Sequence, residues 1–222
     1  MAKQLKLRFL HHVLAAALGT ALCAPTLASA GPMEDAILAE INFARAYPQE
    51  YARRLEREPV TRWEQALIDA GEPADHAAYI EAVEFLKRQR PLSPLRPDDM
   101  LTSAALEHVS MQGPSGHIGH ASANGERFYD RVRRHGAAAA LSAENIAYGP
   151  PSPEDVVRAL IIDSGVPDRG HRTNMFNGAF KVVGVSCGPH RDYSTMCVMD
   201  FSAAPSPRII TAQLDKVRPA DE

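Results

Sequence analysis

Asp163-Ser164-Gly165-Val166-Pro167-Asp168-Arg169-Gly170-His171-Arg172-Thr173-Asn174-Met175-Phe176-Asn177 is the stretch on which the reading of this chain turns. Val156, Val157, Leu160 and Ile161 form an apolar helical face that runs into Asp163, and Gly165 and Pro167 break it. Asp168 is placed to cap a second helix, which puts His171 in its first turn. A loop, a helix start, a histidine and a preceding carboxylate make one wall of a site.

Upstream, Ser152-Pro153-Glu154-Asp155 is a helix start: a capping serine, proline at the first position, acids in the first turn. Ser142 to Gly149 reads as a short strand carrying Glu144. A longer helical pattern runs from Asp98 or Asp99, as cap, to about Met111, with Leu101, Ala105, Leu106 and Val109 near one face. A glycine-rich loop follows and holds His117 and His120; Glu126 to His135 is helical again. Glu34 to Leu55 is helical with an interruption at Pro48. Short helices are expected around Trp63-Leu67-Ile68 and Tyr79-Leu86, and Arg90 to Pro97, with a proline every third residue, is an extended connector. Downstream, Lys181–Cys187 and Thr195–Ser202 are β-like. In the second, Cys197, Met199 and Phe201 alternate with Met196, Val198 and Asp200, so a hairpin with its loop over Gly188–Thr195 is predicted. Helices that precede, separate and flank a few strands give an α+β fold.

The ends are read differently. Lys3, Lys6 and Arg8, the apolar run Val13–Leu22 and Ala28-Ser29-Ala30 have the order of a secretory signal peptide, cleaved after Ala30. The bulky Leu22 before Cys23 argues against lipid attachment there. The expected organisation is residues 1–30 signal, 31–204 domain with an extra segment at 59–95, and 205–222 tail. The 24 basic and 27 acidic residues of the chain, less three basic residues in the signal, leave a formal charge of −6, which disfavours nucleic acid as a partner. No later run is apolar enough to span a bilayer. Once Cys23 is removed, Cys187 and Cys197 remain in an oxidising compartment and are expected to pair. The destination is the periplasm or the outside of the cell.

His120, Glu144, Asp163 and His171 are the four groups expected to converge. Two imidazoles and two carboxylates suit either a divalent metal, zinc foremost, or a general acid–base pair. Glu144, in an otherwise apolar segment, needs a partner: His120, His171 or a metal. Asn145 and Asn174 are expected to support the cleft by hydrogen bonds, and Arg172 by an ion pair. His108 reads as a core histidine, His117 as exposed and His190 as solvated.

In order, Glu107-His108, Gly119-His120-Ala121-Ser122-Ala123-Asn124-Gly125, Glu144-Asn145-Ile146-Ala147, Gly170-His171-Arg172-Thr173-Asn174-Met175 and Val183-Gly184-Val185 resemble the CAP superfamily of cysteine-rich secretory, antigen 5 and pathogenesis-related proteins, in its bacterial secreted branch. The resemblance implies an α-β-α sandwich with a central cleft lined by His120, Glu144, Asp163 and His171. It also implies divalent metal binding there and, in several members, binding of lipids elsewhere on the domain; Asp163 stands where many members have glutamate. The expected function is a secreted binding module for an apolar small ligand, an extracellular protein or an envelope component. The alternative is a metal-dependent or acid–base hydrolase using the same cleft, although no nucleophile motif accompanies it.

Overall fold

The computed structural model describes residues 31–137 and 140–206; the predicted signal peptide and nearly all of the predicted tail lie outside these. In chain order the elements are α1 (Pro32–Ala46), α2 (Pro48–Arg57), α3 (Arg62–Asp69), α4 (His76–Arg88), β1 (Arg96–Pro97), α5 (Asp99–Ser115), α6 (Phe128–Arg134), β2 (Ser142–Tyr148), α7 (Pro153–Ile162), α8 (Gly170–Met175), β3 (Val182–His190) and β4 (Ser194–Ser202). The sheet order is β1-β3-β4-β2, with β1 parallel to β3 and the other pairs antiparallel. The last of the described strands therefore lies inside the sheet, between β3 and β2.

The alternation in β4 sorts the layers. Cys197, Met199 and Phe201 face a large core shared with α1, α2, α4 and α7. Met196 and Val198 face the other way, onto Ala105 and Val109 of α5 and Ile146 of β2. Leu101 and Ala104 of α5 close a third cluster with Phe128 and Val132 of α6 and with Val182. The result is an α+β sandwich, helices on both faces of a small sheet, as expected.

The helix starts follow the predicted chemistry. Asp98 caps α5 through Met100 N–H and Leu101 N–H (both 3.1 Å), and Ser152 caps α7 through Asp155 N–H (3.1 Å). Thr61 and Glu64 form a reciprocal capping box on α3. Two boundaries differ. Helix α5 runs past Met111 to Ser115, because Pro114 lies in its last turn and Gly116, at φ 73°, supplies the left-handed stop. The hairpin loop is shorter than Gly188–Thr195, since cross-strand pairing continues out to His190 and Ser194.

Helix α5 lies unusually close to β3. A Cβ placed on Gly184 would come 2.1 Å from the Leu101 carbonyl carbon and from Thr102 N. The two strands of the hairpin are joined by the Cys187–Cys197 disulfide, as the sequence suggested.

Candidate functional site: a cleft flanked by two histidine–carboxylate pairs

Each predicted carboxylate holds one predicted histidine. Glu144 projects from β2 toward the α5 side, where its Oε1 meets His120 Nδ1 at 2.9 Å. Its Oε2 accepts from Arg131 Nη2. On the other side of the strand, Asp163 Oδ1 meets His171 Nδ1 at 2.6 Å. Asp163 Oδ2 accepts from the main-chain N–H groups of His171 (2.9 Å) and Arg172 (3.2 Å). Both carboxylate side chains are 1 % exposed, whereas His120 is 56 % and His171 23 % exposed. The acids lie behind the rings and orient them through Nδ1, leaving Nε2 of each ring on the outer side.

The α8 start thus differs from expectation. Asp163, not Asp168, satisfies its first N–H groups, and the residue before the helix is Arg169 at φ 52°, with no side-chain cap of its own. Asp163 does this from a left-handed conformation, φ 59°, at the end of α7. One side chain ends one helix, starts the next and holds a ring.

The supporting residues divide. Asn145 Nδ2 donates to the His171 carbonyl (3.0 Å), and Asn174 Nδ2 donates to Asn145 Oδ1 (2.9 Å), tying β2 to α8. Arg172 is buried and points away from the cleft. It pairs with Glu81 (2.8 Å) and donates to the carbonyls of Ile161 and Ile162.

Three contributors had no clear signal in the sequence. Arg131, fully buried, holds Glu144 and donates to Ser122 Oγ at 2.9 Å; its Nε has no partner among the described residues. In the sequence it is one of four arginines in a run that reads as a solvated helix. Asp200 is directly opposite Glu144 in the β2–β4 register and fully buried, and no donor reaches either of its oxygens. Burial, and next the neighbouring Glu144 charge, raise its pKa well above the ordinary aspartate value. A proton on Asp200 turns its contact with Glu144 into a hydrogen bond. Tyr148 is the third. Its hydroxyl accepts from Gly119 N–H (2.9 Å) and donates to Gln112 Oε1 (2.7 Å), holding the loop that carries His120; burial pushes its pKa up to about 12. Beneath that loop His108 is a core histidine, as expected. Its Nε2 is 3.1 Å from the Gly119 carbonyl, and burial lowers its pKa. His190 is not solvated: it is buried, with Nε2 3.0 Å from the His117 carbonyl and its ring against Tyr148 and Tyr193. Its place inside a ladder that extends further than predicted accounts for the difference.

A hollow of about 160 Å³ adjoins His171. Its walls include Ile146, Tyr148, Leu160 and Val166, with Trp63 from α3 at one side. A second, larger hollow of about 450 Å³ lies beyond Trp63, with Glu58, Glu154, Asp155 and Arg62 on its lining. The expected four-donor metal set does not fit this arrangement. The carboxylates are engaged with ring, guanidinium or main-chain donors, and among the described residues no three His, Cys, Asp or Glu side chains gather to hold an ion.

Comparison with known proteins adds the lineage. The model of the "Cysteine-rich secretory protein family" (CAP) matches residues 38–201. Uncharacterized protein YkwD of Bacillus subtilis (strain 168) is 27 % identical over 117 residues, covering 51 % of this chain and 44 % of that protein. The chain thus matches less than half the length of that relative. Among solved structures, an extracellular protein containing a SCP domain from Bacillus anthracis str. Ames is similar at 27 % identity and TM-score 0.39, over 50 % of this chain and 34 % of that one. An outer surface protein from Borrelia burgdorferi is similar at 24 % identity and TM-score 0.41, over 50 % of this chain and 77 % of that one.

Proposed function

This chain belongs to the cysteine-rich secretory protein (CAP) family, and from that premise we propose that it is an exported binding module whose ligand enters the cleft between His120 and His171. The observation that carries this reading is the division of labour in the two pairs. The acids are buried and engaged, while the rings are more exposed, and the His171 ring borders a hollow lined largely by apolar groups. Such a site offers hydrogen-bonding nitrogens beside apolar walls, the composition of a small-ligand pocket. A hydrolase would need Glu144 as a base facing substrate, and it lies behind His120. A covalent mechanism would instead need a side-chain nucleophile, and the Ser164 hydroxyl is turned to Asp75 (3.4 Å). Export accords with the predicted signal peptide and with the disulfide; among the described residues no helix is long and apolar enough to cross a membrane.

A divalent metal would find only imidazole nitrogens here, so zinc is proposed at most as a readily stripped associate. Trp63 is the single tryptophan of the chain, and it borders both hollows. Its emission is therefore the direct readout. Octanoate and phenol-sized apolar molecules are expected to shift it saturably in the purified protein, with affinity reduced about tenfold in His171→Ala. Peptide-bond hydrolysis of casein that disappears in His171→Ala would overturn the binding reading, and unshifted emission at millimolar ligand would overturn its small-ligand form.

A further inference from the structure

We propose that an extended segment of another polypeptide enters this cleft by adding as a strand to the outer edge of β2. The proposal rests on the binding reading above and gives its ligand a chemical class.

The sheet order leaves β2 outermost. Its phase is set by two hydrogen bonds just beyond its ends: Gly149 N–H to the Thr195 carbonyl (2.9 Å) and Ala203 N–H to the Leu141 carbonyl (3.0 Å). In an antiparallel ladder residues alternate between facing the partner strand and facing away from it. Residues 141, 143, 145, 147 and 149 therefore turn their main-chain groups to β4. Ile146 and Tyr148 turn theirs outward. Among the described residues, no hydrogen bond from outside the ladder reaches these four groups. Lower on the strand the edge is occupied: the Ser142 carbonyl accepts from the Tyr129 hydroxyl (3.3 Å), and α8 is tied down at Asn145. The unbonded rung is at the upper end. Although Ile146 and Ala147 are largely buried, they and Tyr148 line the hollow beside His171, which among the described residues gives the only access to the rung.

Two outward N–H groups and two outward carbonyls, spaced two residues apart, ask for a partner with the same alternation. A polypeptide backbone in β conformation has it. The hollow at this rung has room for one aliphatic or phenyl side chain, against Leu160, Pro150 and Val166. Beyond Trp63 the larger hollow carries three carboxylates, Glu58, Glu154 and Asp155, against one guanidinium, Arg62. That balance complements a basic side chain. The occupant is therefore an extended peptide with an apolar residue for the first hollow and lysine or arginine for the second. Because Glu144 and Asn145 point to opposite faces of β2, the added strand passes between the two histidines.

The test uses the purified isotopically labelled full chain and a capped hexapeptide, Ac-Thr-Leu-Val-Leu-Arg-Lys-NH2. Two further versions carry N-methyl groups on alternate amides, one version in each frame. Strand addition slows amide exchange of Ile146 and Tyr148 at least tenfold at saturation. One methylated frame loses binding tenfold or more, and the other binds like the parent. Binding without protection of these two amides, equal binding of both methylated frames, or no binding at millimolar peptide overturns it. Should apolar small molecules still shift Trp63 emission in that event, strand addition falls and the binding reading stands. If peptide protects the strand while small molecules do nothing, the cleft is specific for main chain, and it is the small-ligand form of the reading that falls.

Discussion

Asp200 and Arg131 show how much of the cleft's chemistry is decided behind it. Between the ordinary aspartate pKa of 3.8 and its raised native value, the folded chain keeps a proton on Asp200 that the unfolded chain has lost. Stability from this group is present at acid pH and declines as pH rises above ~4, by no more than about 1.4 kcal/mol per pH unit for one proton. Asp200→Asn, which keeps a donor toward Glu144 and cannot ionise, is expected to flatten that decline. Urea unfolding of both proteins at pH 5, 6.5 and 8 measures it, with the variant gaining on the parent as pH increases. Arg131→Met has the opposite sign. It leaves the Glu144 charge buried without its guanidinium partner, at a cost of about 3–5 kcal/mol. Adding Glu144→Gln should recover a large part of that loss, which a double-mutant cycle will read as coupling.

At the level of elements, α8 is too short to hold itself and depends on Asp163. Asn at this position keeps tolerance of the left-handed backbone and loses the charge, so Asp163→Asn is expected to cost about 1 kcal/mol. Asp163→Ala also meets the φ of 59° without a polar side chain and should cost about 1 kcal/mol more, a difference measurable by thermal unfolding. The approach of α5 to β3 is the other critical contact. Gly184→Ala drives a methyl into the Leu101–Thr102 main chain, which cannot yield as a side chain can, and a loss of about 3 kcal/mol or more is expected. These elements also mark where sequence is informative. Ser152, Asp98 and the alternation of β4 are local signals, and the helix starts and the two sides of the strand follow from them. His120, Glu144, Asp163 and His171 are legible as a set of four through the resemblance to the CAP family, whereas which histidine goes with which carboxylate emerges only from the fold. Arg131 and Asp200 are not legible. A buried arginine inside Arg131-Val132-Arg133-Arg134 and an acid in an alternating strand look like solvated charges until the opposite strand is in place. The cap at α8 is missed for a related reason: Asp163 reaches it only because the chain reverses through Gly165.

Across the whole molecule, irregular connections are held by arginines inserted among carbonyl groups. Arg45, 1 % exposed, donates to the Ser93 and Asn177 carbonyls and to Met175, binding α1 to the proline-rich connector and to the end of α8. Arg158 likewise joins α7 to the carbonyls of Glu58 and Pro59 and to Glu64, which secures the segment that brings Trp63 to the cleft. The disulfide adds a covalent tie across 10 residues, worth about 2–3 kcal/mol. Reduction should lower the melting temperature by several degrees while near-native circular dichroism persists at 25 °C, since three apolar clusters remain.

The position of β4 has a consequence in time. It is the last of the described elements, yet both β3 and β2 need it as their neighbour. A chain emerging N-terminus first, from a ribosome or through a translocation pore, has every described helix available before the described β-sheet partner of β2 exists. Until residues 194–202 arrive, Glu144 has no sheet to fix it beside His120, and the two walls of the cleft have no common strand. Among the described elements, the sheet can therefore be completed only once residues 194–202 are present, the last described strand taking an inner position.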